Sequence, residues 1–440
     1  MRHWFIRCDP RLPLEPGDDE RYFDLDHVVV DDQTVSLRGR FRIEDLYQPI
    51  TMLQNESCQL FSGFSGTGKS TELRRIQRNF EDNGYVVLLA DAQKYHNLSR
   101  EILIEDLLVV IAAAFGDALA KRLGEDPAAV SYFQQLKQLL KGVKLEEMSL
   151  SLGLVELKTG VEHAQPFWQK IREALGRSLG KLGEDVHGYV REGVARLRRA
   201  QPTSRGVVFI LDNLERLTAP FGNFRAVMAS VMDVFDGYNR FLRLPDCHVI
   251  YTVPPYVQIL RHTLRERYDR VSHVLPAVKV LELGEKRQPY RPGVEALIEL
   301  LRCRFPVDRL FGSRRDLLER LVVDSGGHVR TLITFVRELL YKAGQSGLPL
   351  QEVDLEDVTR PFREHVGLRL SREHASLLRR ILQTGSVNAT PESEHEALAR
   401  LMDDYLVLCY RNGDDWYEVH PLARRLAERL VAELENEQAS

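Results

Sequence analysis

Gly63-Phe64-Ser65-Gly66-Thr67-Gly68-Lys69-Ser70 decides the reading of this chain. It fits the phosphate-loop pattern G-x-x-x-x-G-K-[ST]. The apolar pair Leu60-Phe61 leads into it, and a helix-like run, residues 71–80, leads out. Strand, glycine loop and helix are the context the pattern needs. Glycines let backbone N–H groups crowd a triphosphate, and the new helix turns its positive end to the same anion. The nucleotide-binding residues are then Gly63, Ser65, Gly66, Thr67, Gly68, Lys69, Ser70 and Thr71. Lys69 reaches the β- and γ-phosphates, and the Ser70 hydroxyl ligates Mg²⁺. The Asn-Lys-x-Asp signature by which GTPases read guanine is not visible, which favours ATP.

The strands that follow supply the rest of such a site. Residues 85–91 form a continuous apolar run, as a strand buried on both faces of a parallel sheet should. Residues 207–212 form another, ending in Asp212-Asn213-Leu214-Glu215-Arg216. An Asp at the end of a buried strand can hold Mg²⁺ opposite Ser70. Many such ATPases place a carboxylate directly after that Asp to orient the attacking water. Here the position holds Asn213, which cannot take a proton, and Glu215 is the nearest carboxylate. Either Glu215 does this work or hydrolysis is slow. Residues 248–253 give a fourth strand, in which Thr252 stands where a polar group can sense the γ-phosphate. Residues 278–283 are the candidate fifth strand. Arg261, Arg265, Arg267 and Arg270 follow the fourth strand, and an arginine finger to a neighbouring subunit would come from among them.

Four segments are expected. Residues 1–57 are an N-terminal arm, with Arg40 and Phe41 either lying against an adenine or forming a plain turn. Residues 58–285 are the ATPase core, with an inserted β-hairpin near 148–162 whose alternation has a two-residue period. Residues 286–362 are a helical lid. There Arg330 begins a helix after Ser325-Gly326-Gly327 and is positioned to touch the γ-phosphate. Residues 363–440 read as helix, helix, hairpin, helix, the order of a winged helix. The usual guess for that module is DNA binding. Its acidic residues, among them Glu392, Glu394, Glu396, Asp403, Asp404, Asp414 and Asp415, oppose it.

These motifs together resemble the P-loop ATPases of the STAND class and their AAA+ and origin-recognition-like relatives. The resemblance rests on residues 63–70, 211–216, Thr252, 325–330 and the terminal module, and covers roughly residues 40–434. The Asp212 segment is also similar to that of KAP-type NTPases, with Asn213 and Glu215 departing from the pattern. Glu418-Val419-His420-Pro421-Leu422 looks like the Met-His-Asp segment of STAND proteins. The resemblance implies that His420 contacts bound ADP, with a core or capping histidine as the alternative. It further implies a slow ATP-driven switch, a nucleotide-dependent homo-oligomer, and a separate effector partner, in a setting such as prokaryotic defence against phage. A DNA-binding loader ATPase is the rival reading.

The totals set bounds. The chain has 440 residues, room for two to three domains, and a net charge of −4, so no global pull toward nucleic acid or anionic membrane. Its five cysteines are scattered without a C-x-x-C pair, which suits reduced thiols in the cytoplasm. The opening Met1-Arg2-His3-Trp4 does not read as a signal peptide. The longest apolar run, residues 107–115, is too short to span a bilayer.

Overall fold

The computed structural model describes residues 2–11, 13–14, 20–30, 32–39, 44–52, 56–95, 101–126, 179–216, 223–261, 263–284, 287–388 and 390–439. Arg40, Phe41 and the hairpin expected near 148–162 lie outside the described residues. The chain divides into two compact units. One comprises Ile43–Ser62 and Arg75–His273. The other comprises Met1–Arg42, Gly63–Arg74 and Val274–Ser440. The arm and phosphate loop thus group with the C-terminal half, a division that sequence order does not reveal.

The first of these units holds the sheet. Its strands are β3 (Ser57–Gly63), β4 (Val86–Asp91), β5 (Val207–Asp212), β6 (His248–Val253) and β7 (Arg270–Leu275), in the spatial order β4-β5-β6-β3-β7. The pairs β4/β5, β5/β6 and β6/β3 are parallel. Every residue of β3, β5 and β6 is buried. β5 is apolar up to Asp212, as burial on both faces requires, whereas the polar side chains of β3 are buried with partners, Ser57 on His248, Gln59 on Leu46 O and Ser62 on Val253 O. Helices cover the sheet. The run 107–115 lies in α4 (Ile104–Leu123), which packs on β4, β5 and α5 (Leu179–Ala200). Phe115 meets Phe209 of β5 edge-on at 5.6 Å. Among the described residues no helix is long and apolar enough to cross a membrane. The chain is therefore an α/β P-loop NTPase fold with a parallel sheet, flanking helices and a helical C-terminal region.

The other unit opens with α1 (Arg2–Arg7) and the two-stranded ribbon β1 (Val28–Val30) and β2 (Gln33–Val35). It takes in the start of α3 (Lys69–Asp82) and continues through α7 (Arg291–Arg302), α8 (Arg315–Asp324), α9 (Val329–Ser346) and α10 (Glu352–Gly367), whereas α2 (Glu44–Met52) and α6 (Phe224–Gly237) belong to the unit that holds the sheet. Leu297, Leu301, Leu321, Val336 and Leu339 lie in its core. The expected boundary at 362/363 falls inside α10, because Pro361 is tolerated within that helix. The order α11 (Ala375–Thr384), α12 (His395–Asp403), β8 (Val407–Asn412), β9 (Asp414–Val419) and α13 (Arg424–Ala439) matches the expected helix, helix, hairpin, helix.

The fifth strand lies earlier than the sequence suggests. Residues 278–283 do not join the sheet. Val278 N–H donates to Gly327 O at 3.1 Å, Lys279 N–H to Leu37 O at 3.1 Å, and Val280 O accepts from Tyr290. Alternation alone reports a half-buried extended segment and cannot name its partner. Gly327, at φ +68°, is required there: a Cβ would lie 1.8 Å from the Val278 oxygen. All five cysteines are free.

Candidate functional site

The phosphate loop is braced from within. Lys69 Nζ donates to Gly63 O at 2.7 Å and Phe64 O at 3.0 Å. Thr67 Oγ1 donates to Phe64 O at 2.8 Å. Helix α3 begins at Lys69, so Lys69, Ser70 and Thr71 form a helix start whose amides suit an anion. Thr71 Oγ1 accepts from the N–H of Leu14 in the arm at 3.2 Å. Ser70 is half-buried beside it.

Three consecutive carbonyls of the loop are held from outside. His328 Nε2 donates to Ser65 O at 2.6 Å. The N–H of Arg330 donates to Gly66 O at 3.1 Å. Arg38 Nη2 donates to Thr67 O at 2.9 Å. In a planar trans peptide the carbonyl of one residue and the N–H of the next point in opposite directions. Fixing these oxygens therefore turns the amides of Gly66 and Gly68 the other way, while the Thr67 N–H closes a turn onto Phe64 O at 3.3 Å. Gly66 (φ +89°) and Gly68 (φ +104°) supply the left-handed backbone that this turn demands.

The donors come from two places. Arg330 and His328 belong to the N-terminus of α9. Arg330 Nη1 also donates to Ser65 Oγ at 3.0 Å. His328 is the N-cap of α9, its Nδ1 accepting from Thr331 N–H at 3.3 Å and meeting Thr331 Oγ1 at 2.7 Å. Those bonds select the neutral ring with the proton on Nε2. Burial lowers its pKa to about 4; the Ser65 bond opposes this, and the charges of Arg330 and Lys69 add to it. Arg38 belongs to the arm and pairs with Glu72 of α3 at 3.0 Å, both side chains almost wholly buried. Neither His328 nor Arg38 is assigned a role from sequence. His328 does fall in the 325–330 stretch that carries the resemblance; Arg38 has no signal beyond a charge after the buried Leu37.

A second group of predicted residues gathers at the end of β5. Asp212 is 6% exposed, and its Oδ1 accepts from Asn213 N–H at 2.7 Å. Asn213 sits at φ +68°, a conformation Asn tolerates better than most residues. Thr252 Oγ1 accepts from Leu214 N–H at 3.0 Å, so this hydroxyl braces the turn that carries Glu215. Glu215 itself is buried in that turn. The strand order sets β6, with Thr252, between β5 and the strand that leads into the phosphate loop.

His420 is fully buried. Its Nδ1 accepts from Leu422 N–H at 3.3 Å, and its ring packs on Phe362 at 5.0 Å. Burial, with His328 nearby, lowers its pKa to about 3. Arg40 lies outside the described residues.

The loop fits a nucleotide's phosphates: outward-tied carbonyls, left-handed glycines and a helix start converge on one side. Among the described residues no cluster of three or more His, Cys, Asp or Glu could hold a metal by itself.

No family model and no curated protein matches the chain. Among solved structures it is similar to the Aeropyrum pernix ORC2 protein in ADPNP and ADP complexes, at 13% identity over 90% of this chain and 93% of that one, TM-score 0.38. It is also similar to the Aeropyrum pernix ORC1 protein in complex with DNA, at 15% identity over 89% and 90%, TM-score 0.38. The third is Cdc6p from Pyrobaculum aerophilum, at 14% identity over 92% and 99%, TM-score 0.34. A likeness of this size implies nothing about substrate, nucleic acid or partner.

Proposed function

We propose that this chain is an ATP-binding P-loop ATPase of the AAA+, origin-recognition-like kind, in which the bound nucleotide sets the position of α9 and of the module that follows it. One observation carries the reading: the carbonyls of Ser65, Gly66 and Thr67 are each held by donors, two of them from α9. A loop held this way is an anion cradle. On this reading Lys69 takes the β- and γ-phosphates, Ser70 and Asp212 hold Mg²⁺ with phosphate oxygens and water, and Glu215 orients the attacking water. Thr252 and Arg330 report the γ-phosphate. Nucleotide can act as a switch only where it binds two arrangements with different affinity.

The output is the open half. Among the described residues the terminal module pairs six of its ten arginines internally: Arg369 with Asp404, Arg372 with Glu437, Arg380 with Glu394, Arg400 with Glu396, Arg411 with Asp415, and Arg424 with Glu418 and Glu428. Paired guanidinium groups are poor phosphate ligands, which favours a protein partner over DNA for this module. Lys69→Ala tests the core of the proposal. ATP binding, followed by calorimetry, should be lost, together with any nucleotide-dependent assembly; unchanged affinity sinks the reading. DNA binding that weakens steeply with salt, with DNA-stimulated hydrolysis, would instead select the loader reading.

A further inference from the structure

We infer that His328 is a positioning residue for nucleotide binding: by fixing the Ser65 carbonyl it aims the Gly66 amide into the phosphate cradle. The inference rests on the nucleotide reading above and adds a residue to it. The ring performs two tasks with two nitrogens. Nδ1 caps α9 by accepting from Thr331, and Nε2 donates to Ser65 O at 2.6 Å. Because the cap dictates the tautomer, the proton is always on the nitrogen that faces the loop. The Ser65–Gly66 peptide is then fixed at its oxygen, and its N–H points away from His328.

The ring is held on its other side as well. Tyr405 stacks on it at 4.7 Å with 28° between the planes. Tyr405 lies at φ +60°, in the turn between α12 and β8, so the C-terminal module buttresses the loop through this pair. Gly66 completes the fit. A Cβ there would stand 2.7 Å from the His328 ring and 2.8 Å from the Cβ of Arg330. The loop and the α9 start are shaped to each other at atomic contact.

Two substitutions separate the tasks. Asn places its Oδ1 where histidine has Nδ1, so His328→Asn keeps the cap and loses the Ser65 bond. Gln places its Nε2 where histidine has Nε2, so His328→Gln keeps the Ser65 bond and loses the cap. Equilibrium binding of ATP and of ADP to the full chain is measured, with thermal unfolding as the check on folding. His328→Asn should unfold near the wild-type temperature yet bind both nucleotides roughly tenfold more weakly, a factor worth about 1.4 kcal/mol. His328→Gln should recover most of that affinity. ADP and ATP should weaken alike, because the loop amides face the phosphates common to both. A purely structural histidine gives the reverse order, with Asn restoring function and Gln not. That order, an unchanged His328→Asn, or a loss confined to ATP would overturn the inference. Failure of wild type to bind either nucleotide would instead overturn the nucleotide reading on which it rests.

Discussion

The Arg38 guanidinium donates to the Thr67 carbonyl at 2.9 Å and, through its other terminal nitrogen, pairs with the Glu72 carboxylate at 3.0 Å. One buried side chain of the arm thus ties the phosphate loop to the helix that follows it. The pair is shielded from water, and Asp26 also acts on Arg38 electrostatically. Burial raises the Asp26 pKa to about 6 against the pull of Arg38.

Arg38→Met should therefore be costly. It removes the guanidinium that pairs with the buried Glu72 carboxylate, and breaking a buried ion pair typically costs about 3–5 kcal/mol. Urea unfolding should show that loss, and ATP affinity should fall as the Thr67 carbonyl is released. A variant as stable as wild type would show that water replaces the guanidinium.

Gly66→Ala should disable the loop. An L-residue in the left-handed region costs about 1–2 kcal/mol, and the methyl would collide with His328 and Arg330. Overpacking of this kind adds about 1–3 kcal/mol. Reduced thermal stability together with loss of nucleotide binding is expected; wild-type affinity would contradict the geometry drawn around residue 66.

Glu215→Gln tests the acidic turn. With Glu215 as the water-orienting group, single-turnover hydrolysis should slow by about 100-fold or more, while ATP affinity stays within a few-fold of wild type. Unchanged turnover would remove Glu215 from the chemistry.

Acid should destabilise the protein from about pH 6.5 downward. Burial lowers His328 and His248 to about 4 and His420 to about 3. Unfolded histidines titrate near 6.5, so between these values the unfolded chain binds more protons and stability falls as pH falls. Asp26 and Asp324, raised by burial to about 6, act in the opposite sense: their contribution is present at low pH and lost as pH rises through 6. Burial also lowers His374, so the buried histidines outnumber the two carboxyls and the net effect is a loss of stability as pH falls from about 6 to 4. Unfolding midpoints across this range should show the decline, and a flat profile would contradict it.

Much of the core was legible in the chain itself. Apolar runs mark β4, β5 and β6 without a structure, whereas β3, with Ser57, Gln59 and Ser62 buried in it, was marked only by Leu60-Phe61 ahead of the phosphate loop. The phosphate loop is a local object: its glycines, Lys69 and Ser70 act within eight consecutive residues. The hairpin of β8 and β9 is equally local, turning at Gly413 (φ +91°). The fifth strand was misplaced because residues 278–283 carry an alternating pattern whose partners, Gly327 and Leu37, are remote in sequence.

What the residues alone determined is the presence of a loop able to take phosphates, and a buried strand ending in Asp212. Those properties follow from backbone freedom at glycine and from side-chain periodicity, both of which act over a few residues. What only the tertiary structure decided is how the loop is held: by His328 and Arg330 from more than 260 positions downstream, and by Arg38 from the arm. A hydrogen bond depends on the meeting of two groups in space, and no periodicity in the chain records which remote histidine will face Ser65.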